Sequence, residues 1–278
     1  MSRPSSPQVL TCTTPSGVTT ITICRPHRRN AVNPSTARDL YAAFIQFEND
    51  ISQKVAILTG SDGFFCAGAD LVDITAQSQQ DPATLDHSDR NHLQPVQDRN
   101  CAPMGPSRLR VQKPVIAAVA GHAVAGGLEL SLLADIRVVE EDAIFGVYCR
   151  RWGVPLIDGG TVRLQAIVGL GRALDMILTG RPVSAQEALA MGLANRVVPK
   201  GKAIQEATKI AEQLLKFPNA CMNMDRNSCY YAAYNALSLE DALTYEFDHG
   251  VQVLKTESFQ GAARFAGGLG RHGRFDKL

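Results

Sequence analysis

The stretch VIAAVAGHAVAGGLEL, residues 115–130, passes from a β-type run through small residues into a helical pattern. Residues 115–119 are a short apolar run behind Pro114, and a helix opens near Gly127. A second junction, VAILTGSDGFFCAGADL at residues 55–71, has the same grammar: a short buried strand over 55–59, a turn through Gly60 and Gly63, then a small-residue segment. A helix N-terminus presents free N–H groups and a positive dipole end. Small residues let a ligand approach the backbone closely. Two such junctions converging make a pair of N–H donors, an oxyanion hole. Taken singly, each also reads as a tight strand-to-helix turn, and composition does not separate the two.

Outward from these junctions the first half alternates strands and helices. Residues 9–13 and 18–24 read as strands joined by a turn at 15–17. Asn33 caps a helix whose first position suits Pro34, and Leu40, Ala43, Phe44 and Phe47 follow at helical spacing. Residues 136–139 and 143–146 read as two further strands. From residue 161 the pattern is helical, interrupted by a strand at 194–198. This order describes an α/β core over residues 1–200 and a helical C-terminal region over 201–278. The polar stretch 76–108 has little periodicity and reads as a long loop of binding-loop or surface type.

Composition narrows the function. The chain has 278 residues, 45% hydrophobic and 20% charged, an ordinary globular balance. Lys+Arg of 28 against Asp+Glu of 27 leaves +1, which supplies no electrostatic footprint for nucleic acid or an acidic membrane. The seven cysteines are odd in number and none pair as C-x-x-C, so they read as reduced thiols in an intracellular protein. The histidines are scattered, and no metal site is expected. The polar start has no apolar signal core, and no apolar run approaches a membrane span. Asp276-Lys277-Leu278 matches a peroxisomal tripeptide poorly. A cytoplasmic location is expected, with a peroxisomal or mitochondrial one as the alternative. Signatures of phosphate loops, nucleophile elbows and dinucleotide-binding turns are absent.

FCAGADL at 65–71 and AGHAVAGGLEL at 120–130 resemble the enoyl-CoA hydratase/isomerase (crotonase) family. So do R-P-x-x-x-N-A at 25–31 and LTGRPVSAQEALAMGLANRVV at 178–198. The resemblance runs in order over roughly residues 8 to 266. It implies a spiral of ββα turns with a helical C-terminal trimerisation region, and a homotrimer or dimer of trimers. It implies an acyl-CoA substrate, with coenzyme A as part of that substrate and no separate cofactor. It implies an enolate of the thioester held by the N–H groups of Ala69 and Gly126. Arg28, Arg29, Ala67, Asp70 and Leu71 fall where the family approaches coenzyme A, and Glu129 falls on the first of two hydratase glutamates.

The second glutamate position holds Cys149. A thiol is a poor carboxylic acid, and a small core-facing residue is the favoured reading. Asp158 compensates: it lies at a D-x-G position where isomerases and other enolate enzymes of the family place an acid, and it also reads as a cap for the helix near Gly160. Arg150, Arg151 and Trp152 read as surface, or as charges that could neutralise Asp158 or a substrate carboxylate. The expected function is enoyl-CoA hydration, with Glu129 deprotonating water and Asp158 handling the second proton. Double-bond isomerisation, decarboxylation or thioester hydrolysis on the same scaffold are the alternatives, and a silent acyl-CoA binder or an RNA-recruited member comes further behind.

Overall fold

The structure, a computed structural model, describes residues 7–78 and 93–269. Two compact units divide the chain, Met1–Ala211 and Glu212–Leu278.

The first unit is built from two sheets. One has six strands: β1 (Val9–Thr13), β2 (Val18–Ile23), β3 (Val55–Gly60), β4 (Val115–Val119), β6 (Ile136–Glu140) and β9 (Arg196–Val198), neighbouring one another in that order. Only β1 runs antiparallel. The second sheet joins β5 (His122–Val124), β7 (Ile144–Gly146) and β8 (Val183–Ser184). A bridge from Cys66 to Ala123 extends it by one more turn of chain. Each turn of the spiral therefore lays one strand in each sheet. Every residue of β3 and β4 is buried, as expected for parallel strands covered on both faces. This is why both segments read as unbroken apolar runs.

Helix α1 (Pro34–Asn49) starts as the sequence predicts, with the Thr36 N–H donating to Asn33 Oδ1. Its buried Leu40, Phe44 and Phe47 join Phe65 and Phe145 in the core. The loop expected over 76–108 is shorter at its start, because helix α2 spans Leu71–Ser78. Residues 79–92 of that stretch lie outside the described residues, and a single 3₁₀ turn follows at Pro106–Arg108. The short helices α3 (Gly126–Ser131), α4 (Gly160–Val168), α5 (Leu170–Thr179) and α6 (Ala185–Ala190) complete the spiral, and α7 (Ala203–Leu214) follows β9. The second unit is helical: α8 (Asn219–Tyr234), α9 (Leu239–Val253), a π-helical turn at Leu254–Ser258, and α10 (Phe259–Ala266).

The R-P-x-x-x-N-A segment has a structural job. Arg25 Nη1 donates to Asp70 Oδ2 at 2.9 Å, and both side chains are almost fully buried. Asn30, at φ 56°, accepts from the Arg25 N–H and donates to the carbonyls of Ser61 and Phe64. Together these bonds pin residues 25–31 against the junction after β3. Removing one partner of a buried ion pair leaves the other charge uncompensated. Asp73 Oδ2 remains 3.5 Å from Arg25, which softens the loss. Asp70→Ala is therefore expected to lower unfolding free energy by about 3 kcal/mol, measured by urea unfolding; a loss below about 1 kcal/mol would contradict the role given to this pair.

Candidate active site

The two junctions meet edge to edge. In the Val32–Ala69 bridge, Gly68 O accepts from Val32 N–H and Asp70 N–H donates to Val32 O. That pairing turns the N–H of Ala69 to the opposite side. Ala125, the residue before α3, has φ 52° and ψ −125°, a conformation that L-residues rarely adopt. Its N–H is tied to Gly146 O at 2.9 Å, so the strain is held by the second sheet. Gly126 then begins α3 with a free first-turn N–H. Neither the Ala69 nor the Gly126 N–H donates to a described residue. Gly68, at φ 96°, lies between them; a Cβ there would stand 2.9 Å from Gly126 N. Only glycine lets the two donor segments come this close.

Glu129 lies one turn along α3 and is 3% exposed. Its Oε1 accepts from the N–H groups of Asp158 at 2.9 Å and Gly160 at 2.8 Å. A Cβ on Gly160 would meet Glu129 Cγ at 2.8 Å, so glycine is required there too. Asp158, also 3% exposed, does not cap α4; Gly159 holds that position without a side-chain bond. Asp158 Oδ1 instead accepts from Met104 N–H at 2.9 Å and from the Ser107 hydroxyl. The Met104 side chain in turn packs against Gly126. The second oxygen of each carboxyl, Glu129 Oε2 and Asp158 Oδ2, has no hydrogen bond to a described residue and is not sealed from solvent.

Burial and the neighbouring Asp158 carboxylate push the Glu129 carboxyl up to about 7, against the opposing pull of its two backbone donors and Arg163. Burial also raises Asp158, opposed by Ser107, Met104 N–H, Arg108 and Arg163. Glu129 therefore titrates in the field of Asp158. Buried Cys149 lies in the field of Glu129; burial, then that carboxylate, push its thiol up, and it stays protonated. Arg150 donates to Ile177 O and Arg151 lies over the Tyr148 ring, so both are spent away from Asp158. Trp152 is exposed.

The residues expected beside coenzyme A divide. Arg28 and Arg29 are exposed on the 25–31 segment, with the Arg29 guanidinium 6.0 Å from the Phe64 ring centre. Ala67 is half-buried and its N–H donates to Arg29 O, while Leu71 is partly exposed at the start of α2. The Asp70 carboxylate is turned inward onto Arg25. Pattern reading passed over Met104, Ser107 and Arg163. All three reach the site through hydrogen bonds or charge, and two lie in the aperiodic 76–108 stretch. No group of three or more His, Cys, Asp or Glu among the described residues could hold a metal ion.

The profile of the enoyl-CoA hydratase/isomerase family matches residues 13–267. The chain belongs to this crotonase family. Enoyl-CoA hydratase EchA19 of Mycobacterium tuberculosis is 37% identical over 201 residues, 70% of each chain. Carnitinyl-CoA dehydratase of Proteus mirabilis is 33% identical over 235 residues, 84% of each chain. The crystal structure of enoyl-CoA hydratase EchA1 from Mycobacterium marinum superposes with a TM-score of 0.82 at 29% identity, covering 94% of this chain and 96% of that one. The family match and the superposition together show a crotonase-type spiral with enoyl-CoA hydratases among its relatives.

The raised Glu129 value has a consequence for stability. A carboxyl held near 7 in the folded state, against 4.5 ordinarily, stabilises the fold below pH 4.5, and that contribution is lost as pH rises through 7. Glu129→Gln is always neutral. At pH 8 it should be more stable than the parent by about 2–3 kcal/mol, with the gap closing toward pH 5. Denaturant unfolding at the two pH values checks this; a variant less stable than the parent at pH 8 would contradict the strained-carboxylate picture.

Proposed function

We propose that the protein hydrates a trans-2-enoyl-CoA, with Glu129 and Asp158 as its acid–base pair. The observation that carries this reading is the bond from Asp158 N–H to Glu129 Oε1, which brings two buried acids into one another's neighbourhood, with one carboxyl oxygen of each without a hydrogen bond to a described residue. The thioester oxygen is taken by the N–H groups of Ala69 and Gly126, where enolate charge develops. Arg28, Arg29, Ala67 and Leu71 line the approach of coenzyme A, and Asp70 acts through Arg25.

Electrostatics assign the roles. Two neighbouring buried carboxyls resist carrying two negative charges, so the pair keeps one proton near neutral pH. Glu129, pushed up to about 7, is the better holder of that proton. Asp158 takes the role of base, since the Ser107 hydroxyl and Arg108 favour its charge and Glu129 has neither. This exchanges the roles that sequence position suggested. Asp158 Oδ2 removes a proton from water as the oxygen adds to Cβ. The C=C electron pair moves into the thioester as an enolate. Glu129 Oε2 then delivers its proton to Cα, and the Asp158 proton returns to Glu129 to reset the pair.

Glu129→Gln and Asp158→Asn should each lower kcat by about 10²–10⁴, with much smaller changes in KM. Steady-state assays on a trans-2-enoyl-CoA, read by thioester absorbance, measure both. An unchanged kcat in Asp158→Asn, with Glu129→Gln inactive, would transfer the assignment to a one-carboxylate isomerase.

We also propose assembly into trimers or hexamers. The second unit exposes Leu239, Leu243 and Phe247 along a groove of about 420 Å³, and Phe259 and Phe265 are exposed beyond it. An apolar face of this kind marks an interaction surface. Sedimentation at micromolar concentration should give a species at least threefold heavier than 30.0 kDa; a subunit-sized species would contradict this. The seven free thiols fit a reducing compartment such as the cytoplasm.

A further inference from the structure

We propose that Ser107 is a positioning residue that decides which of the two carboxyls holds the shared proton. The inference rests on the two-carboxylate reading above. Four hydrogen bonds reach the pair from described residues. Three come from backbone N–H groups: Met104 to Asp158, and Asp158 and Gly160 to Glu129. The backbone donors stay whatever side chains stand there. The fourth, from Ser107 Oγ to Asp158 Oδ1, is the only one that belongs to a side chain. It stabilises the ionised form of Asp158 and so leaves the proton on Glu129.

Ser107 is 1% exposed and sits in the buried 3₁₀ turn Pro106–Arg108. The turn is itself tied down. Arg163 Nη1 donates to Ser107 O at 2.7 Å and lies 3.4 Å from Asp158 O, while Nη2 reaches Leu109 O at 3.4 Å. The hydroxyl is therefore held in register with the carboxylate by the helix that begins two residues after Asp158.

Other charges face Asp158 from each packed element. Arg108 comes from the same turn, Arg163 from α4 and Glu129 from α3, with the Cys101 thiol on the loop before the turn. Cys149 faces Glu129. Arg108 and Arg163 add to the Ser107 bond in favouring ionised Asp158, and Glu129 resists a second charge. None of these donates a hydrogen bond to Asp158 Oδ1 or Oδ2. Removing the hydroxyl should therefore raise the proton affinity of Asp158. The base is then protonated over a wider range, and the acid limb of the pH profile moves to higher pH.

The test compares Ser107→Thr with Ser107→Val, two side chains of nearly equal shape of which only the first keeps a hydroxyl. Any cost of fitting a larger residue is common to both. The Val variant should show the acid limb of kcat/KM displaced upward relative to Thr and a kcat near pH 7 lower by about tenfold, with little change in KM. Ser107→Ala should behave as Val does, and should add no further loss in an Asp158→Asn background. Equal acid limbs for Thr and Val would overturn the proposal, as would an undiminished Ser107→Ala effect in the Asp158→Asn background. If Asp158→Asn alone leaves kcat intact, the two-carboxylate reading has failed and the proposal falls with it. If Asp158→Asn is impaired but the Thr and Val limbs coincide, only the role of Ser107 is refuted.

Discussion

The bond from Asp158 N–H to Glu129 Oε1, 2.9 Å long, joins segments 29 residues apart and holds the candidate site together. It fixes one oxygen of Glu129, which lies in the field of the Asp158 carboxylate. A second bond, from Gly160 N–H, completes the cradle. Both carboxyls are buried, and burial and the Asp158 charge together raise Glu129, which in the proposed mechanism keeps one proton on the pair. A solvated pair at the same spacing would ionise fully and lose the asymmetry that separates acid from base.

The remainder of the first unit supports that contact. The strained Ala125 turn starts α3, the helix that carries both the Gly126 N–H and Glu129. The Val32–Ala69 bridge leaves the Ala69 N–H without a protein acceptor among the described residues, and Gly68 lets the two junctions touch. Arg25, Asn30 and Asp70 anchor the bridge from outside the site. Unfavourable backbone, a buried ion pair and a buried acid pair are all offset by a continuous apolar core through both sheets.

The buried strands at 55–60 and 115–119 were legible because parallel strands covered on both faces need unbroken apolar runs. The small residues at 65–69 and 123–127 were legible because backbone must approach backbone there. Strands β5 and β8 were not: β5 lies inside the small-residue run that leads into α3, and β8 has only two residues. Glu129 and Asp158 were legible through the family resemblance, which places acids at both positions. Their division of labour was hidden, because it depends on hydrogen bonds from Met104 and Ser107, 54 and 51 residues from Asp158 in sequence. Asp70 misled for a related reason: its position in the motif beside the donor suggested ligand contact, whereas its charge is consumed by Arg25.

In the proposed mechanism Glu129 holds the shared proton because it is buried and because Asp158 is charged near it. Carbon-13 NMR of protein labelled at the glutamate side-chain carboxyl measures this directly, with the Glu129 resonance assigned by its loss in Glu129→Gln. This resonance should titrate with a midpoint of about 7, and the midpoint should fall in Asp158→Asn, where the neighbouring charge is gone. A Glu129 resonance that titrates in the ordinary carboxylate range, or whose midpoint is indifferent to Asp158, would contradict it.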